Sequence, residues 1–136
     1  MKHLLKFNEQ IVNWERNERD IRDILNIAED EGIKVDADVT QVDKNHCLYE
    51  IRLIRGIYQQ GDYKYLCDDD LINRITLEVV NRLENTFDGS LTFPICVGRS
   101  YRGHNRIGKE SINVDDIING ENIISYDIDI EIREGL

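Results

Sequence analysis

The chain predicts an α+β fold: a largely antiparallel sheet of four or five strands with two main helices, in the order α-β-β-(β)-α-β-(short α)-β. Three observations predict it. Two stretches step their apolar residues by three and four, which puts them on one face of a helix. Several others alternate apolar and polar residues, as half-buried strands do. Turns of Gly, Asn and Asp join neighbouring strands, so hairpins outnumber βαβ units and the helices fall on one face of the sheet. The 136 residues read as one domain, 1–136, long enough to bury about two-thirds of the unfolded surface without a disulfide or a metal.

The first helix rests on Leu4, Phe7, Ile11, Trp14, Ile21, Leu25 and Ala28, a stripe interrupted at Glu18. Opposite charges four residues apart, Glu15/Arg19, Glu18/Arg22, Arg16/Asp20 and Arg19/Asp23, support it. It spans about Asn8 to Glu31, roughly 35 Å at the helical rise, and Gly32 ends it. Its middle, Glu15 to Asp20, is nearly all charged. Either the whole helix lies on its own sheet, or the half before Arg16 projects and packs on another chain.

Ile33, Val35, Ala37 and Val39 alternate with Lys34, Asp36, Asp38 and Thr40 and predict a strand. Asp43 to His46 is a turn. Cys47 to Tyr58 reads as one second strand, with Tyr49, Ile51 and Leu53 on one face. Gln60-Gly61-Asp62 turns into a short strand at Tyr63 to Leu66. Asp68, Asp69 and Asp70 precede Ile72, Ile75, Val79 and Leu83, an amphipathic helix that stops at Asp88-Gly89. The aspartates suit an N-cap and first turn. A calcium loop would need alternating ligands and a distal Glu instead. Leu91, Phe93, Ile95 and Val97 predict a further strand, which Pro94 assigns to a sheet edge. A glycine-punctuated loop and a short helix at Val114 to Asn119 follow. The last strand is the plainest: Ile124, Tyr126, Ile128, Ile130 and Ile132 alternate with polar residues.

The formal charge is -10, from 17 Lys and Arg against 27 Asp and Glu. That balance argues against general nucleic-acid binding, which runs on surplus cations, and against docking on anionic lipid. No apolar run approaches the ~20 residues of a membrane helix, and the N-terminus turns polar too soon for a signal peptide. Cys47, Cys67 and Cys96 are odd in number, with no CxxC. They read as reduced thiols of a cytoplasmic protein.

The segment Gly98 to Lys109 stands apart. It holds Arg99, Arg102, Arg106 and Lys109 and no acid, leaving -14 on the rest of the chain. Its three glycines allow backbone N–H groups to turn toward a ligand, and Tyr101 offers a ring to stack on. It is either an anion or nucleotide loop, a basic finger for an acidic neighbour, or a loop whose arginines lie against the protein's own carboxylates. Gly103 to Lys109 has the glycine and lysine spacing of a phosphate loop. Glu110, however, stands where a hydroxyl should hold magnesium, and the preceding strand ends too early. On the last strand Asp127, Asp129 and Glu131 form a comb of carboxylates, the pattern of a solvated face that deters edge pairing. His46 and Cys47 are strand neighbours and point to opposite faces, so they make no catalytic pair. No GxSxG, HExxH or metal-ligand spacing occurs, and no catalytic, metal or cofactor residue is predicted.

Three function classes remain. The first is a non-enzymatic assembly subunit, a homo-oligomer or part of a multi-protein complex. Its contact residues would be Arg99, Tyr101, Arg102, Arg106 and Lys109 on the basic side and Asp127, Asp129 and Glu131 on the acidic side. The second is an acidic inhibitor or immunity protein that mimics nucleic acid, using the comb and Asp68 to Asp70. The third is a small-anion or nucleotide binder centred on residues 98–109. Across its α-β-β-α-β-β order the chain resembles the small neck and tail-terminator proteins of tailed bacteriophages. That resemblance is of topology and implies a virion structural role, with no functional residue carried over.

Overall fold

The computed structural model describes residues 14–133. Helix α1 spans Trp14–Asp30, and the part of the expected helix before it, with its projecting half, lies outside the described residues. Strand β1 (Lys34–Asp43) and strand β2 (His46–Ile54) form the first hairpin. A second, two-stranded sheet follows, β3 (Gly56–Gln59) with β4 (Asp62–Tyr65). Helix α2 is Asp69–Thr86. Strands β5 (Cys96–Arg102) and β6 (Ile107–Ile112) form another hairpin. A 3-10 helix at Val114–Asn119 leads into β7 (Ile123–Arg133). The main sheet has five strands in the order β1-β2-β7-β5-β6, each antiparallel to its neighbours. The expected α+β fold is therefore what forms.

Strand alternation divides the sheet into two faces. Val35, Ala37, Cys47, Tyr49, Ile51, Leu53, Tyr126, Ile128, Ile130 and Ile132 are buried on one side. Against them pack Ile21, Leu25 and Ala28 of α1 and Ile72, Ile75, Val79 and Leu83 of α2, which complete one core. Each of the larger of these side chains contributes about 1.5–3 kcal/mol by leaving water. Both helices sit on this face, so the other face has no layer over it in the described chain. Among the described residues no helix is long and apolar enough to cross a membrane.

Three expectations change. Cys47 to Tyr58 is not one strand: pairing with β7 stops at Ile54, and Arg55 breaks the ladder. The Arg55 guanidinium is mostly buried and paired with Asp69 at 3.0 Å. It also donates to the carbonyls of Cys67 and Ile123, and it stacks over Tyr65 at 4.2 Å. The strand must turn aside so that this cation meets its partners. The strand expected at Leu91 to Val97 begins only at Cys96. Pro94 lies before it, so β5 runs inside the sheet rather than at its edge, with only an isolated bridge at Leu91. The loop expected at 98–109 is most of the β5–β6 hairpin, and only the turn Gly103 to Arg106 is loop.

Local chemistry explains the element ends. Asp68 caps α2 by accepting the backbone N–H of Leu71 at 2.8 Å. Asp69 does more than support the first turn. Its carboxylate accepts the N–H groups of Asn122 and Ile123 at 3.0 and 2.9 Å, tying the start of β7 to the helix. The β3–β4 turn places Gln60 and Gly61 at φ 50 and 87. Two successive positive φ values give the twist that a two-residue hairpin needs.

Candidate functional site

The open face is acidic, and register explains how. Asp36 of β1 stands opposite Arg52 of β2, which stands opposite Asp127 of β7. The next row holds Asp38, Glu50 and Asp129, three carboxylates abreast on neighbouring strands. Adjacent strands are about 4.8 Å apart, and like charges placed directly opposite are destabilising. Arg52 serves the first row, donating from Nε to Asp127 at 2.8 Å. In the second, Glu50 and Asp129 have no ion-pair partner among the described residues. Partial burial, with Glu50 and Asp127 nearby, accordingly pushes the Asp129 carboxyl above its ordinary range. A shallow hollow of about 460 Å³ lies over these rows, lined by Asp36, Asp38, Glu50, Arg52, Asp127 and Asp129.

Asp127, Asp129 and Glu131 thus share one face as expected, but their strand is the central one, so they do not guard an edge. They also differ in state. Asp127 is paired with Arg52. Glu131 is half-buried, 3.2 Å from Nε2 of His46, which also meets Thr92. Asp129 is exposed, between acids. Of Asp68 to Asp70, Asp69 is turned inward against Arg55 and β7, while Asp68 and Asp70 are exposed.

The basic segment resolves into two classes. Arg99 is half-buried and pairs with Glu110, its direct cross-strand neighbour. It also donates to the carbonyl of Asp116 at 3.2 Å. Arg102 pairs with Asp62 at the tip of the β3–β4 hairpin and lies over Tyr63, its carbon 5.9 Å from the ring centroid. These two arginines hold the protein's own carboxylates. Arg102 and the backbone N–H of Tyr63 in turn keep the exposed Asp62 carboxyl below its usual range, the backbone bond being the larger influence. Tyr101 covers Gly108, its cross-strand partner. A Cβ at Gly108 would lie 2.3 Å from the Tyr101 ring, so this glycine exists to seat the tyrosine. Arg106 and Lys109 are exposed and, among the described residues, have no ion-pair partner. Tight pairing spends the backbone as well: the N–H of Gly103 bonds the carbonyl of Arg106 at 2.8 Å, and that of Arg102 bonds Asn122. Gly103 closes the turn and Gly98 and Gly108 lie in paired strands, so the three do not form a loop around a phosphate.

Sequence reasoning missed three contributors. Glu50 and Asp38 belong to the acidic row only because β2 and β1 pair with β7 in this register, which no local pattern encodes. Phe93, 61% exposed, was placed in a strand. With Pro94 it instead walls a groove of about 760 Å³ on whose surface Cys96, Gly98, Lys109, Asp127 and Asp129 also appear. Small side chains at Cys96 and Gly98 leave that space. Among the described residues no group of three or more His, Cys, Asp and Glu is placed to hold a metal ion. Comparisons of this chain with protein-family models, with curated proteins and with solved structures find no match.

Proposed function

We propose that this chain is a non-enzymatic assembly subunit that works by protein–protein contact through the open face of its sheet. One observation carries the reading: Glu50 and Asp129 stand directly opposite each other on neighbouring strands, and neither has an ion-pair partner among the described residues. Such a juxtaposition costs stability in the isolated chain. A local rule broken on an exposed face marks a surface shaped for something other than folding. A cationic protein surface laid on the row would remove the repulsion and gain charge complementarity, which favours fast and selective docking. The hydrophobic side of the sheet is already filled by α1 and α2, and no helix of the described residues covers the other face. The small-anion reading loses Arg99 and Arg102 to internal pairs. A place in a virion, assembled in the host cytoplasm, belongs to the same proposal and rests on the element order read from the sequence.

Gel filtration of the tagged chain in extracts of cells that make it tests this reading. At low salt the chain should elute far above its own 15.9 kDa. It should return to that size in 1 M salt and in the double variant Glu50→Gln, Asp129→Asn. Elution as the free chain in extract at low salt overturns the proposal. A partner that proves to be one basic enzyme, inhibited by the chain, would transfer the reading to the inhibitor class.

A further inference from the structure

One imidazole in this chain lies between two carboxylates that come from different strands. His46 opens β2, and its side chain is 10% exposed. Its Nδ1 lies 3.6 Å from Oδ2 of Asp43, at the end of β1. Its Nε2 lies 3.2 Å from Oε1 of Glu131 on β7 and 3.3 Å from Oγ1 of Thr92, in the segment that precedes β5. The other Asp43 oxygen accepts the N–H of Asn45 at 2.9 Å, which fixes this carboxylate beside the ring. The nearest cations in register and in sequence are Arg133, the cross-strand partner of His46 on β7, and Lys44 in the turn, and both are exposed. The segment of Thr92 brings a hydroxyl to the ring and no charge.

A neutral imidazole carries one N–H. With the proton on Nε2, Glu131 receives it and the bare Nδ1 turns its lone pair to Asp43. With the proton on Nδ1, the bare Nε2 accepts the Thr92 hydroxyl but stands against the Glu131 carboxylate. Only the imidazolium offers an N–H to both acids. We propose that His46 is a proton-operated brace: charged, it ties the β1–β2 turn and the segment Ser90–Thr92 to the end of β7, and neutral, it lets that segment loosen. Backbone bonds of the same segment report the brace. The Thr92 N–H bonds the Glu131 carbonyl at 3.0 Å, the Arg133 N–H bonds the Ser90 carbonyl at 2.8 Å, and Leu91 makes an isolated bridge to Ile132. The segment leads directly into Phe93 and Pro94, one wall of the groove, so the proton sets how firmly that wall is held. An imidazole changes charge between about pH 5 and 8, above the range where ordinary carboxylates are neutralised. The braced state takes the proton in preference to the loosened one, so the brace is full at the acid end of that interval and fades as pH rises. The brace is independent of the assembly reading.

Amide hydrogen exchange of the wild-type chain at about pH 5.5 and about pH 8, corrected for the intrinsic rate, tests the brace. The reporters are the N–H groups of Thr92 and Arg133, and the amides of α2 serve as the reference. Protection of the two reporters relative to α2 should be about fivefold or more higher at the lower pH. His46→Gln, neutral at every pH, should erase the difference, and Glu131→Gln, which removes one of the two carboxylates, should shrink it. A wild-type chain whose reporters keep the same relative protection at both pH values overturns the proposal without recourse to any variant. So does a His46→Gln chain that retains protected α2 amides and the wild-type pH dependence, since another group would then control the segment.

Discussion

Individual residues in this protein are judged by what their polar atoms reach. The Tyr126 hydroxyl is buried; it donates to the Asn73 Oδ1 at 2.6 Å and lies 3.1 Å from the Ile117 carbonyl. Asn73 passes the chain of bonds to the Gly120 carbonyl at 2.9 Å. A Cβ on Gly120 would lie 2.3 Å from that hydroxyl, so the glycine makes room for the network. Burial pushes the Tyr126 hydroxyl up to about 12, and it stays protonated as a donor across the working pH range. Tyr126→Phe should therefore cost about 1–3 kcal/mol in urea unfolding, because Asn73 loses a partner in the core. Asp129 behaves oppositely. Its folded pKa lies above the ordinary 3.8, through burial first and then Glu50 and Asp127. The folded state thus holds this proton more tightly than the unfolded one, and the group's contribution falls as pH rises through the interval between the two values. Asp129→Asn should raise Tm at pH 7 by about 2 °C and give no gain at pH 3, as calorimetry at the two pH values would show.

Elements are positioned by a few residues that span several of them. Arg55 ends β2, accepts the Tyr65 ring over its guanidinium, and bonds both Asp69 at the start of α2 and Ile123 at the start of β7. Arg55→Ala would leave the partly buried Asp69 carboxylate without its cation and release the β3–β4 hairpin. A loss of about 2–4 kcal/mol is expected, with faster amide exchange concentrated in residues 56–66; equal exchange across the whole chain would contradict this. Much of this level is legible in sequence. Strands β1 and β7 alternate cleanly because one face is buried and the other wet. The acids before α2 announce its start. Strands β5 and β6 escape the same reading. Val97, Arg99 and Tyr101 share a face, as do Gly108, Glu110 and Ile112, and at these positions the sheet satisfies a salt bridge and a ring over glycine instead of burying alternate aliphatics. Periodicity of hydrophobicity has nothing to register there, and the glycines look like loop.

The whole molecule carries its charge unevenly. The open sheet face gathers acids from β1, β2 and β7, while the exposed Arg106 and Lys109 stand on the β5–β6 hairpin. With a formal charge of -10, self-repulsion weakens the folded state, and screening relieves it. Raising salt from about 0.05 to 0.5 M should therefore raise the Tm of the dilute chain, even as it dissolves any contact made through the acidic face. Differential scanning fluorimetry and sedimentation, run on the same samples, would separate the two effects; a Tm that falls with salt would contradict the first. Sequence alone determined the α+β class, the two helix faces, the first and last strands, and the excess of acid, because each depends on spacing along the chain or on composition. Tertiary structure decided the rest. Pairing of β2 with both β1 and β7 set Asp38, Glu50 and Asp129 abreast, and the insertion of β7 between β2 and β5 turned a supposed edge into the centre. Pairing with Glu110 and Asp62 claimed two arginines of the basic segment and left Arg106 exposed. These are long-range registers, and a register is fixed by the fit of whole faces rather than by any local run of residues.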